Sequence, residues 1–250
     1  MMNQKPMSVF LSIIIPAYNE EQRLGASLIE ATRFLDTQPY SYEIIVVENG
    51  SSDRTLEIAR TFAREHPTVR ALHLDERGKG LAVQAGMLHA GGDYRFICDA
   101  DFSMPVDQVN RFFPPLLTGV DVAIASREAA GAVRYNEPAY RHIVGRAFNT
   151  LVRWAALPGL HDTQCGFKCF TAKAAEQLFS RQTISGWSFD VEVLFIARLL
   201  GYVIYEVPIP WYFNPQSRVK VLRDSLQMGA DLLRIRRNAR QGKYNAAHPD

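Results

Sequence analysis

Short runs of aliphatic and β-branched residues recur along this chain, each closed by a cluster of polar or turn-forming residues. Phe10-Leu11-Ser12-Ile13-Ile14-Ile15 is the first, and a run of this kind suits a strand buried on both faces. Glu43-Ile44-Ile45-Val46-Val47 and Tyr94-Arg95-Phe96-Ile97-Cys98 follow the same pattern. Strands are expected near 11–15, 42–47, 69–73, 94–98 and 120–125, with helices near 20–36, 52–65, 79–90 and 105–117. Strand–helix alternation predicts an α/β fold: a mostly parallel central sheet, joined by right-handed crossovers and flanked by helices. The second half is less regular. A helix over 139–156 leads into the Leu157–Gln164 loop, then a short strand near 167–170 and helices over 172–179 and 188–200. A last strand near 202–207 ends at Pro208-Ile209-Pro210. The division expected is one catalytic domain over 1–210 and a tail over 211–250 carrying a basic amphipathic helix.

Polar residues gather beyond three of these strands. The first stops at Pro16-Ala17-Tyr18-Asn19-Glu20-Glu21, where Asn19 is suited to cap the next helix. The second ends in Glu48-Asn49-Gly50-Ser51-Ser52-Asp53-Arg54-Thr55, a Gly/Ser turn that feeds another helix. After Cys98 comes Asp99-Ala100-Asp101. In open α/β sheets ligands bind beyond the carboxyl ends of the strands. An Asp-x-Asp pair there can grip Mg²⁺ or Mn²⁺, with water and substrate phosphate completing the shell. Taken alone, the same two acids read as a solvated turn capping the next helix.

Composition narrows the classes. A chain of 250 residues can bury one sizeable core. A net charge of +2 excludes a strongly electrostatic nucleic-acid binder. Cys98, Cys165 and Cys169 are too few for a disulfide framework, and Cys165-x-x-x-Cys169 lacks a partner pair for zinc. A reducing, cytoplasmic compartment is therefore expected. No signal peptide or spanning helix is expected either, because the apolar stretch from Val191 to Val207 is broken by Glu192, Arg198 and Glu206.

Ile-Ile-Pro-Ala-Tyr-Asn-Glu, the Glu-Asn-Gly-Ser-x-Asp-x-Thr turn and Asp-Ala-Asp, in this order, resemble the inverting glycosyltransferases of family 2, of the GT-A fold. Arg77-Gly78-Lys79-Gly80, Asp162-Thr163-Gln164-Cys165-Gly166-Phe167-Lys168 and Trp187-Ser188-Phe189-Asp190-Val191-Glu192 resemble the branch containing dolichyl-phosphate glucosyltransferases and dolichyl-phosphate mannose synthases, nearer the glucosyl type. The likeness runs from about Ser12 to Arg237.

The resemblance implies a role for each matching position. Pro16, Ala17, Tyr18, Glu20, Val47 and Asn49 would line the base and ribose of a nucleotide sugar; Asn49 stands where the family usually has aspartate. Asp99, Ala100 and Asp101 would meet the ribose–phosphate and the metal, with Ser103 where the mannosyl branch has a metal-contacting glutamine. Lys79, Arg127 and Arg218 would contact phosphates, and arginine's planar fork suits that task. The plain alternatives are a solvated helix-start lysine and ordinary surface ion pairs.

Asp190 is a candidate acceptor-site residue, with stabilisation of its helix N-terminus as the competing explanation. A hydroxyl acceptor needs a general base, whereas a polyprenyl phosphate arrives ionised. Asp101, Arg127 and Asp190 are thus the candidate catalytic residues, with Mg²⁺ or Mn²⁺ as cofactor. In the tail, Val221, Leu222, Leu226, Met228, Leu232, Leu233 and Ile235 form an apolar set beside Arg223, Arg234, Arg236, Arg237, Arg240 and Lys243. Such a helix can lie on an anionic membrane face or dock on its own domain, a second subunit or a membrane-protein partner.

The reading is a metal-dependent transferase that moves glucose from UDP-glucose to polyprenyl or dolichyl phosphate, peripheral on the cytoplasmic membrane face. A family 2 enzyme with a soluble or saccharide hydroxyl acceptor, and a non-catalytic nucleotide-binding protein, are the alternatives. A sugar-phosphate nucleotidyltransferase is disfavoured: Pro16-Ala17-Tyr18-Asn19 stands where its Gly-rich phosphate loop belongs.

Overall fold

The computed structural model describes residues 9–101, 103–138, 150, 152–153, 156–213 and 221–245, the side chains of 221–226 excepted. Arg218 and most of the helix expected over 139–156 lie outside these residues.

Each apolar run becomes a strand: β1 (Leu11–Ala17), β2 (Tyr42–Asn49), β3 (Val69–Leu74), β4 (Tyr94–Cys98) and β5 (Val122–Ser126). Between them lie α1 (Leu24–Leu35), α2 (Thr55–Glu65), α3 (Lys79–His89) and a 3₁₀ helix (Val106–Phe112). After them come β6 (Val133–Tyr135), β7 (Phe167–Thr171), α4 (Ala172–Phe179), α5 (Phe189–Leu199), β8 (Ile204–Pro208), β9 (Pro210–Tyr212) and α6 (Val221–Arg240).

Seven strands form one sheet in the order β3-β2-β1-β4-β7-β5-β8. All neighbours run parallel except β7, which is antiparallel to both β4 and β5. A separate parallel pair joins β6 to β9. Strand alternation sorts side chains between two cores. Leu11, Ile13 and Ile15 of β1 pack with α1, α2 and the 3₁₀ helix, while Ile14 faces the core of α3 through α6.

Several boundaries differ from the sequence reading, each for a local reason. β1 continues through Pro16 and Ala17, and β2 through Glu48 and Asn49, because their backbones stay in parallel register. Asn19 does not cap α1. It adopts φ 52°, a left-handed conformation that Asn tolerates, and its Oδ1 accepts a hydrogen bond from Ser52 N at 2.8 Å. The N–H groups of Glu20 and Glu21 donate to Thr55 Oγ1 (2.6 Å) and Asp53 Oδ2 (3.2 Å), so the helix starts only at Leu24. The helix expected over 105–117 shortens to a 3₁₀ turn, and Pro114-Pro115 bars its extension.

Helix α6 packs on the domain. Met228, Leu232 and Ile235 are buried against it, whereas Leu233, Arg234, Arg236, Arg237 and Arg240 face solvent. No described helix is long and apolar enough to cross a membrane.

Where α3 crosses the sheet, Gly86 lets the helix approach β1 and β2. A Cβ there would overlap Ile14 Cγ2 and stand 3.0 Å from Val47 Cγ2. Gly86→Ala is expected to lower stability by about 1–3 kcal/mol through overpacking, read as a lower denaturant midpoint at unchanged slope.

Candidate active site

The carboxyl ends of β1, β2 and β4 open onto one crevice, and what lies there is mainly charge. Asp99 follows β4 directly. Its backbone N–H donates to Gly166 O at 3.2 Å, and its carboxylate meets Lys79 Nζ at 2.6 Å. A Cβ at Gly166 would overlap that carboxylate, so only glycine leaves room for Asp99 in this pose.

Lys79 is the first residue of α3 and is largely buried. Burial works against its charge, but Asp99 and Asp190 outweigh it and hold the ammonium above its ordinary pKa. Trp187 flanks it, with Nζ 5.1 Å from the ring centroid. An exposed lysine at a helix start is thus not what the structure contains.

Asp101 sits one turn further. Its Oδ1 accepts from Ser103 N at 3.1 Å, and its Oδ2 lies 3.8 Å from Arg23 Nη1. Arg23 forms a two-pronged pair with Glu20, one prong being Nη2 to Oε1 at 2.9 Å. That hydrogen bond raises the Arg23 pKa against the effect of burial, and Asp101 and Asp99 add to it. Arg23 Nη1 is buried without a hydrogen-bond partner, so the site holds an unspent cationic donor beside its acids. Ser103 is held by its carbonyl, which accepts from Tyr212 N at 2.8 Å, tying β9 to the Asp101 turn.

The nucleotide-side residues divide into two kinds. Ala17, Val47 and Ala100 are core residues with almost no accessible surface, so they lie beneath the crevice rather than facing a ligand in it. Ala100 O is already used by Ser27 Oγ at 2.7 Å. Pro16 is partly buried, and Tyr18 lies under the Arg77 guanidinium, 4.6 Å from its ring centroid. Asn49 is buried at the end of β2. Its neighbour Glu48 shapes the turn: Oε1 accepts from Ser51 N, and Oε2 meets His73 Nδ1 at 2.5 Å.

Of three acids in the second half, Asp162 and Glu192 are bound through both carboxylate oxygens and Asp190 through Oδ1. Asp162 binds Arg127 through Nε (2.6 Å), Nη2 (2.8 Å) and the backbone N–H (3.0 Å). Burial favours its neutral form, but Arg127 prevails and lowers its pKa. Asp190 Oδ1 accepts from Lys168 Nζ at 2.6 Å, and Lys168 Nζ also donates to Cys165 O at 2.5 Å. Burial raises the Asp190 pKa, although Lys168 and Lys79 pull it back. Glu192 accepts from Thr183 N (2.9 Å), Thr183 Oγ1 (2.6 Å), Ile184 N (2.8 Å) and Tyr244 OH (2.8 Å).

The crevice thus brings together Glu20, Lys79, Asp99 and Asp101 around Arg23, with Asp190 behind Lys79. Arg127 belongs to the Asp162 pair and lies 5.3 Å from the Trp211 ring centroid. Arg218 is outside the described residues. Sequence reasoning missed Arg23, whose one signal was its spacing of three from Glu20 on a helical start. It also missed Gly166, whose demand for a missing Cβ arises only from a contact across 67 positions of chain (166 − 99).

Two carboxylates on one turn are oxygen donors of the kind Mg²⁺ and Mn²⁺ accept. Among the described residues no group of three or more His, Cys, Asp or Glu could enclose a metal. As oxygen donors, Asp99 and Asp101 fit a cation whose remaining shell is phosphate and water.

Likeness to known proteins places the chain in a family. The family model described as glycosyl transferase family 2 matches residues 12–179. A dolichyl-phosphate beta-glucosyltransferase of Trichomonas vaginalis is 36% identical over 92% of this chain and 72% of its own length. Proteins of the same description from Drosophila melanogaster and Homo sapiens are 37% and 33% identical, over 91% and 90% of this chain and 74% of each relative. Among solved structures, glucosyl-3-phosphoglycerate synthase of Mycobacterium tuberculosis, in complex with Mn²⁺, UDP-glucose and phosphoglyceric acid, superposes with a TM-score of 0.68. It is 20% identical, over 91% of this chain and 79% of that one. The chain belongs to glycosyl transferase family 2.

Gly166→Ala is expected to push Asp99 off Lys79 and cut glycosyl transfer about 10²-fold, the scale of a one-ångström misplacement. Steady-state turnover beside a thermal melt checks it: the loss of turnover should be present at temperatures where the melt shows the variant still folded.

Proposed function

We propose that this family 2 glycosyltransferase moves glucose from UDP-glucose onto dolichyl or another polyprenyl phosphate. The observation that carries the reading is the likeness to dolichyl-phosphate beta-glucosyltransferases over nine-tenths of the chain. It includes the Trp187–Glu192 segment beyond the family model's span.

The geometry supports the same acceptor class. An alcohol must lose a proton as it attacks, and the enzyme must supply a base for it. Asp162, Asp190 and Glu192 are each committed to buried partners. A phosphate monoester needs no such base, because its oxygen is already charged. In the proposed reaction that oxygen bonds to the anomeric carbon as the bond to UDP breaks, giving an inverted glucosyl phosphate lipid and UDP.

What the protein must then supply is charge and position. Lys79 and Arg23 face the Asp99–Asp101 turn, where the pyrophosphate of the donor would lie. Arg23 Nη1, buried and without a hydrogen-bond partner, is the donor we assign to a phosphate oxygen. Tyr18, Glu20 and Asn49 are assigned to the nucleoside side, with Pro16 beside them and Ala17, Val47 and Ala100 packed beneath. Arg127, fixed by Asp162, is assigned to the acceptor phosphate together with Arg218. Asp99 and Asp101, with Ser103 beside them, would hold Mg²⁺ or Mn²⁺, which as a Lewis acid stabilises the charge growing on the leaving diphosphate. Asp190 is assigned to positioning Lys79 rather than to proton transfer. Domain residues 1–210 carry the chemistry in this scheme, and the basic face of α6 meets anionic lipid on the cytoplasmic membrane side.

The test is transfer of radiolabelled sugar into organic-extractable lipid. The protein is incubated with Mn²⁺ or Mg²⁺, polyprenyl phosphate and, in parallel, UDP-glucose, GDP-mannose or UDP-N-acetylglucosamine. Label should enter lipid from UDP-glucose and be lost with Asp101→Ala. Label entering from another donor overturns the assigned sugar, and label passing only to soluble acceptors overturns the lipid.

A further inference from the structure

One residue of the last described turn is fully buried. Tyr244 has no accessible surface, although Lys243 and Asn245 on either side are exposed. Its hydroxyl donates to Glu192 Oε1 at 2.8 Å, and its carbonyl accepts from Arg181 Nε at 3.0 Å. Asn238, on α6, donates through Nδ2 to Thr183 Oγ1 at 3.0 Å. Glu192, itself inaccessible, collects four donors: two from Thr183, one from Ile184 and one from Tyr244. The carboxylate and the C-terminal turn therefore fix the 181–184 segment from two sides.

That segment runs directly into the N-terminal turn of α3. Gln182 Nε2 donates to Gly80 O at 2.9 Å, and Leu81 N donates to Ser185 O at 3.2 Å. Backbone lies on backbone here. A Cβ at Gly78 would come within 2.5 Å of Ser185 O, and one at Gly80 within 2.6 Å of Ile184 O. Between those two glycines stands Lys79, which reaches Asp99 at 2.6 Å and is flanked by Trp187 from the same loop. The loop and α6 also wall a cleft of about 250 Å³ lined by Trp187, Met228, Asp231 and Arg234 among others.

We propose that Tyr244 and Glu192 are positioning residues for catalysis, and that the C-terminal turn seats Lys79 through the 181–186 loop. The link is a chain of direct contacts: Tyr244 to Glu192, Glu192 to Thr183 and Ile184, Ser185 and Gln182 to α3, and α3 to Asp99. The end of α6 is on this account part of the catalytic unit rather than an appendage to it. The inference rests on the proposed role of Lys79 at the donor phosphates.

Tyr244→Phe removes one hydroxyl and leaves the ring in its cavity. Amide hydrogen exchange and lipid-phosphate glucosyl transfer are measured on this variant and on the unaltered chain. Exchange should quicken in peptides covering 181–186 and again in those covering 78–83, with β1 and β4 unchanged. Turnover should fall about tenfold with a much smaller change in the donor KM. Three outcomes overturn the proposal: no change in exchange, a change confined to 181–186 with full turnover, or a uniform rise across the sheet. If the unaltered chain transfers no sugar, the proposed function fails, while the exchange pattern still decides whether the turn seats α3.

Discussion

The Lys79–Asp99 pair is the contact around which the crevice is arranged. Burial works against the charge of Lys79, and Asp99 at 2.6 Å, helped by Asp190, offsets it; losing one member of such a pair leaves an uncompensated ion. Both members are set by backbone rather than by neighbouring side chains. Asp99 has its place because Gly166 has no Cβ, and Lys79 has its place because Gly78 and Gly80 admit the 184–186 loop. The chain thus spends three glycines, none at a left-handed φ, on bringing two charges together.

Charge matching continues outward from there. Arg127 and Asp162, Lys168 and Asp190, and Glu192 with its four donors are satisfied within the protein. Among the described residues four buried side-chain atoms lack a hydrogen-bond partner, and Arg23 Nη1, 3.8 Å from Asp101, is the cationic one. On the proposed function, a phosphate acceptor suits acids that are already engaged better than an alcohol does, because it needs no base.

The fold was legible where local pattern decides it. Uninterrupted β-branched runs and the polar turns after them located β1, β2 and β4, and hence the crevice. Direction was not legible: an apolar run reads alike in either sense, so the antiparallel insertion of β7 between β4 and β5 could not be read from periodicity. Asn19 shows the same limit at one residue. A helix cap and a left-handed turn favour the same side chain, and the Ser52 partner that decides between them lies 33 positions away. Of the site, Glu20, Lys79, Asp99 and Asp101 were marked by motif. Arg23, Gly166 and Tyr244 matter through contacts between distant segments, and nothing in their own neighbourhoods announces that. Helix α6 was visible as amphipathic, and its apolar stripe is partly spent on the domain through Met228, Leu232 and Ile235.

The central claim is that the acceptor brings its own nucleophilic charge. The most direct measurement compares polyprenyl phosphate with the unphosphorylated polyprenol of the same length, using UDP-[¹⁴C]glucose and a divalent cation, and follows label into the organic phase. Glucosyl lipid should form from the phosphate and none from the alcohol. Comparable transfer to the alcohol would contradict it, because it would require a base among acids that the structure shows bound to other partners.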